Sequence, residues 1–242
     1  MNSYDSFTVE NKSINPYTIC TWDDEADCAN CENKDALACK WSAEGLLGFI
    51  IPALAAIAIA VFGMVLVGLL TRAWWPMIAF GAFCVFFFVF FEIRILCSHC
   101  PYYARKGFIL HCLANHGIVK LWRYHPEPMN RFEKIALIVC FLIFGLFPVG
   151  VEVYGLWYTI PGISTIGMWP LLAMAGITGA TLASIAAFFT VLVTYICPRC
   201  VNFSCPFNRV KKDKVDAYLR RNPVMREAWE NKGYKLSKLD EI

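Results

Sequence analysis

The sequence predicts an all-α integral membrane protein in which four transmembrane helices carry a cysteine-rich cytoplasmic face built by an N-terminal arm, a central loop and a C-terminal tail. Three observations predict it. Hydrophobic residues make up 58% of the 242 residues and charged ones only 17%, and the mean hydropathy of +0.50 lies outside the range of soluble domains. Four stretches, at 46–70, 74–96, 135–158 and 168–196, are long and apolar enough to cross a hydrocarbon core that needs about 20 helical residues. The chain also has 12 cysteines, for which a plain membrane anchor has no use. The 15% aromatic content argues equally against a disordered chain.

Five segments follow in order: an acidic arm (1–45), a helical hairpin (46–96), a central loop (97–134), a second hairpin (135–196) and a tail (197–242). The arm lacks a basic start followed by a short apolar core, so the first span is expected to be its own uncleaved anchor. Lysine and arginine set the orientation. Lys12, Lys34 and Lys40 lie in the arm, six more basic residues in the loop and eleven in the tail, whereas the short connections 71–73 and 159–167 hold Arg72 alone. The positive-inside rule puts both termini and the central loop in the cytoplasm of an inner membrane.

Ten thiols then meet on that one face: Cys20, Cys28, Cys31 and Cys39 in the arm, Cys97, Cys100 and Cys112 in the loop, Cys197, Cys200 and Cys205 in the tail. In a reducing compartment, metal ligation or catalysis explains them better than stable disulfides. Each hairpin ends in a Cys-x2-Cys pair, Cys97-Ser-His-Cys100 and Cys197-Pro-Arg-Cys200, followed by a third cysteine and by a Cys-Pro-aromatic step. This weak repeat predicts a pseudo-symmetric pair of hairpins that brings both pairs together over the bundle.

The arm spacing, Cys20-x7-Cys28-x2-Cys31-x7-Cys39, suits four thiolates around one tetrahedral ion or an iron–sulfur cluster, with two disulfides in an exported arm as the alternative. At the bundle mouth, Cys97, Cys100, Cys197 and Cys200 form a two-knuckle pattern; alternatively each triplet is a three-thiolate site completed by His99, His111, His116 or an exogenous ligand. Iron–sulfur is preferred to zinc on thiolate number and membrane setting. Haem is not expected: no Cys-x2-Cys pair is followed by histidine, and no span contains one.

Glu92 and Arg94, in the last turns of the second span, either snorkel to the headgroups or set the field at the metal site. Glu152, after Pro148 and Gly150, is a proton, ion or quinone-site candidate whose bland alternative is a pair with Arg72. Cys84 and Cys140 read as packing residues. His116-Gly117 reads as a ligand region or a helix stop, and Asn130 with Glu133 as a capping box. The Phe86–Phe91 run predicts a lipid- or partner-facing surface. Gly176, Gly179, Ala180, Ala183 and Ala187 predict a close-packing seam on the fourth span, within the chain or in an oligomer. The basic tail, with a helix opening at Asn222-Pro223 and ending near Gly233, suggests contact with anionic lipid rather than nucleic acid.

These residues point first to a membrane-bound iron–sulfur electron-transfer module between a soluble redox protein and a membrane complex subunit or quinone. A zinc-stabilised membrane scaffold docking a partner complex is the second reading, and a membrane thiol–disulfide oxidoreductase the third.

Overall fold

The computed structural model describes residues 14–237; Lys12 and Lys238, which entered the charge balance, lie outside them. All of the described regular structure is helical apart from one isolated bridge between Ile109 and Val119. Four helices are long and apolar enough to cross a membrane: α1 (Ala43–Thr71), α2 (Trp75–His99), α3 (Arg131–Thr159) and α4 (Trp169–Arg199). Two short helices close the tail, α5 (Lys212–Arg221) and α6 (Pro223–Glu230).

Local signals set the ends. Ser42 caps α1 by accepting from Gly45 N (3.1 Å), and α3 opens with the capping box, Asn130 Oδ1 accepting from Glu133 N while Glu133 Oε2 accepts from Asn130 N, both at 2.9 Å. Pro223 occupies the first turn of α6, as expected, and Gly233 (φ 88°) follows its end. Asn222, however, does not cap α6, because its side chain is used elsewhere.

α1, α3 and α4 pack mutually as a three-helix core, with α2 lying more lightly against α1 and α3. Without a hydrophobic drive between helices in lipid, close backbone approach matters. A β-carbon on Gly155 would meet Val67 and Met174, and one on Gly63 would overlap the Glu152 carboxylate. Leu47, Ile51, Ile78, Leu146 and Trp169 point outward, as a lipid-facing surface requires.

The outward aromatic surface expected of the second span is only half present. Phe86 and Phe90 are exposed, but Phe87 is fully buried and packs edge-on to Phe141 of α3 at 5.2 Å. The small residues of α4 all face outward, with open space beside Gly176 and Gly179, so the seam is not used within this chain. His116-Gly117 is not a helix stop: Gly117 (φ 85°) turns a short hairpin, its N–H donating to Leu110 O at 2.9 Å.

Arm, loop and tail share one core at one end of the bundle. Ile19 and Leu37 of the arm, Tyr102 and Leu110 of the loop, and Tyr218 and Trp229 of the tail belong to the same buried cluster, which continues into Ile93 of α2. The tail is therefore part of a folded layer. Two of its basic residues are drawn into it, Lys214 donating to Glu32 O (2.9 Å) and Lys212 pairing with the buried Asp216.

Candidate functional site

The ends of α2 and α4 repeat one another in conformation. Each is α-helical, widens into a π segment (Phe86–Phe91 and Leu192–Ile196), and finishes in a single 3-10 turn carrying the first cysteine of its pair (Cys97–His99 and Cys197–Arg199). The second cysteine leaves each turn in the same extended conformation, Cys100 at φ −83°, ψ 135° and Cys200 at φ −75°, ψ 126°. A π segment is rare and rotates whatever follows it relative to the helix above. Here it occurs in both helices but at different distances from the pair: in α2 an α-helical turn, Glu92–Ile95, follows it before Cys97, whereas in α4 it runs directly into Cys197.

One asparagine ties the two knuckles together and a second braces the turn after Cys200. Asn202 Nδ2 donates to Leu96 O (3.0 Å), and Asn208 Nδ2 donates to Cys200 O (2.7 Å) and Asn202 O (3.1 Å). All six cysteines of the triplets, Cys97, Cys100, Cys112, Cys197, Cys200 and Cys205, line one cavity of about 180 Å³. Its other walls include Phe49, Phe141 and Phe188 of α1, α3 and α4, so the thiols meet apolar surface from the bundle.

One residue organises the polar side of this cavity. Asn115 Nδ2 donates to Cys97 Sγ (3.2 Å) and to Glu92 Oε2 (3.0 Å), while Asn115 N donates to Cys112 Sγ (3.0 Å). Glu92 is buried and does not snorkel; it stands beside the thiols. Arg94 takes the other direction, 3.7 Å from Glu133 and over the Trp122 ring.

Burial pushes these thiols up. The Cys112 thiol is raised to about 11 and that of Cys205 to about 12, burial leading in both; the nearby Cys200 adds to each. Burial also raises Cys100, reinforced by Cys200 and Cys112. Several thiolates in one apolar space repel, so this donor set favours either protonated thiols or ligands neutralised by a shared cation.

The arm gathers a second group. Cys20, Cys28, Cys31 and Cys39 are close enough that the charges of the other three all raise Cys39, whose thiol burial pushes up to about 12. Asn222, fully buried in the tail, closes this group: Oδ1 accepts from Cys20 N (2.7 Å), and Nδ2 donates to Cys20 Sγ (3.3 Å) and Tyr218 O (2.6 Å). Cys28 remains exposed.

Two aromatic side chains bridge the two thiol groups. Tyr102, next but one after Cys100, donates from its hydroxyl to Ala38 O (2.7 Å) beside Cys39. Trp22 Nε1 donates to Pro101 O (3.0 Å), and its ring meets Tyr102 edge-on at 5.9 Å. Ala38 N also donates to Arg199 O (2.8 Å), so the arm is fastened to both knuckles.

The three candidate histidines stand elsewhere. None of them lines the six-thiol cavity. His99 turns away, its Nδ1 2.6 Å from Glu127 O; because a carbonyl only accepts, Nδ1 carries the proton there. His111 and His116 face each other (5.0 Å between rings), with His116 stacked on Trp41 of the arm. Sequence reasoning missed Asn115 and placed Asn222 only at a helix start, since neither lies in a cysteine motif.

Glu152 is fully buried among α1, α3 and α4, and Thr181 Oγ1 donates to its Oε1 at 2.8 Å. Its Oε2 has no hydrogen-bond partner, and among the described residues no ion pair joins it to Arg72. Among the described residues, no three His, Cys, Asp or Glu side chains converge tightly enough to hold a single metal ion. No protein-family model, curated protein or solved structure matches this chain.

Proposed function

We propose that the chain is a membrane-bound iron–sulfur electron-transfer module linking a soluble redox partner to a membrane partner or quinone. The observation that carries this reading is the lining of one cavity by all six thiols of the two hairpin triplets. Thiols spread around a space, instead of converging on a point, suit a multi-iron core better than a lone ion. Cys97, Cys100, Cys197 and Cys200, with Cys112 and Cys205 beside them, are the ligand pool, and the four arm cysteines form a second. A cluster held there supplies one-electron transfer at a potential set by hydrogen bonds and burial.

The chain's own residues supply the rest. Asn115 donates to two of the sulfurs and holds the Glu92 carboxylate beside them, which favours negative charge on sulfur at one edge and opposes it at the other. Phe49, Phe141 and Phe188 exclude water on the bundle side. Tyr102 and Trp22 offer a packed path from the arm to the cavity. On this reading the thiol layer lies in the cytoplasm of the inner membrane, which the excess of lysine and arginine in arm, loop and tail supports; the arm faces the soluble partner, and the outward small-residue seam of α4 is available to a second membrane chain.

A zinc-stabilised scaffold is the second reading. The arm favours it, because four neighbouring thiols in a segment with little core of its own resemble a site whose metal supplies folding energy. Thiol–disulfide exchange ranks below both. Its nucleophile needs a lowered thiol pKa, whereas burial raises Cys100, Cys112, Cys200 and Cys205.

The test is elemental: iron, zinc and acid-labile sulfide measured per chain in protein purified without oxygen. Iron with matching sulfide supports the electron-transfer reading. Stoichiometric zinc without iron selects the scaffold.

A further inference from the structure

A larger cleft, of about 800 Å³, which shares no lining residue with the thiol cavity, lies between the end of α2, the start of α3 and the turn after α6. Its charge is unbalanced. Arg94, Arg131, Lys134 and Lys232 line it against Glu127 and Glu133, and both acids are already engaged. Glu127 faces His125 at 3.3 Å, and Glu133 closes the capping box of α3 while standing 3.7 Å from Arg94. Among the described residues, Arg131, Lys134 and Lys232 take part in no ion pair.

Two residues lining the same cleft carry a buried donor nitrogen with no hydrogen-bond partner: Trp229 Nε1, and Arg94 Nη1, whose 3.7 Å approach to Glu133 is too long for a hydrogen bond. Trp229 is only 5% exposed, so ordinary surface freedom does not account for it. A buried nitrogen left unpaired costs about 1–3 kcal/mol, and such groups in one cleft suggest a missing oxygen-rich partner. The first turn of α3, a 29-residue helix, adds the positive end of its dipole. The depth is informative too. Arg94 is in the last α-helical turn of the second span and Arg131 opens the third, which is headgroup level for a helix pair leaving a bilayer.

We propose that this cleft binds a phosphate group, recognised by Arg94, Lys134, Lys232 and the Trp229 indole N–H. The phosphate belongs either to an anionic phospholipid headgroup or to a soluble phosphate compound. The site shares no ligand with the thiol cavity, so it stands whether or not the electron-transfer reading does.

Two probes on the full-length protein separate the sources: radiolabelled inorganic phosphate in a neutral detergent, and phosphatidylglycerol retained in native mass spectra after release from phosphatidylglycerol–phosphatidylcholine nanodiscs. Saturable one-to-one retention of phosphatidylglycerol identifies a lipid; saturable binding of phosphate alone identifies a soluble ligand. In either case the paired Lys134→Gln and Lys232→Gln substitutions are expected to weaken binding about tenfold or more, since they remove two charge-assisted contacts. Trp229→Phe, which keeps a ring against Phe203 and Tyr234, is expected to weaken it roughly threefold or more. Lys134 is half-buried and Lys232 exposed, so the paired variant is expected to retain the fold, with any metal content unchanged. Binding of neither probe, or binding indifferent to all three substitutions, overturns the proposal.

Discussion

The two thiol groups use the same side chain in opposite settings. The arm group sits in the polar layer, with Cys28 exposed and its closure supplied by a tail asparagine. The cavity group is walled by phenylalanines from three spans, and Cys97, Cys112 and Cys197 are buried. The arm depends on distant chain to hold its shape, whereas the cavity is held by helices that the membrane already aligns. On the proposed function, this contrast gives the direction of the module: one group open to water and a soluble partner, the other enclosed against the membrane bundle, with Tyr102 and Trp22 packed between.

The sharpest way to break the comparison is to remove ligands from one group at a time. Cys97→Ser or Cys197→Ser is expected to abolish the metal of the cavity while sparing that of the arm, and Cys28→Ser with Cys31→Ser to do the reverse. Metal and sulfide analysis of each variant checks this. If either hairpin cysteine can be lost without affecting the cavity, the two hairpins do not share a site.

Asn222→Ala comes next in size. It leaves Cys20 N and Tyr218 O without partners in a buried place, at about 1–3 kcal/mol for each. The arm is expected to become protease-sensitive while the cavity keeps its metal, which proteolysis followed by metal analysis reads out. Gly63→Ala is the control within the bundle. Its β-carbon overlaps the Glu152 carboxylate, and overpacking of that kind costs roughly 1–3 kcal/mol. Thermal unfolding is expected to come earlier, with the metal content of both groups unchanged.

A smaller effect concerns the loop that carries Cys112. Burial, helped by Arg105, lowers the Lys120 ammonium to about 8, although Cys112 opposes the shift; the ammonium donates to Tyr103 O and Arg105 O and lies 5.2 Å from the Tyr103 ring centre. Between about pH 8 and the ordinary lysine value of about 10.4, the unfolded chain therefore binds more protons than the folded one. Stability contributed by this group rises with pH across that window and is flat below it. Lys120→Met is expected to remove that rise, as measured by denaturant unfolding at several pH values.

Much of this architecture was legible because the membrane imposes it. Run length fixed the four spans to within a few residues, charge placed arm, loop and tail at the same end, and Asn130 with Glu133 announced the start of α3. The repeat, weak as a pattern, is reproduced in the matching turns at Cys97 and Cys197. The π segments had no such signal, since an unbroken phenylalanine run carries no period from which a widened turn can be read. Asn222 reaches Cys20 across 202 residues and Thr181 reaches Glu152 across 29; pairings of that range depend on how helices pack. The placement of the histidines was illegible for a related reason. Proximity in sequence put His99 between two cysteines, but the 3-10 turn directs its ring into the other cleft.

The central claim is that the six cysteines of the two triplets hold one redox centre, and it is tested most directly with the arm removed from the readout. The measurement is the visible spectrum of the Cys28→Ser, Cys31→Ser protein, purified without oxygen, before and after dithionite. Broad absorption that bleaches on reduction, accompanied by iron and sulfide, is the predicted result. A colourless protein that retains zinc, or no metal, contradicts the claim.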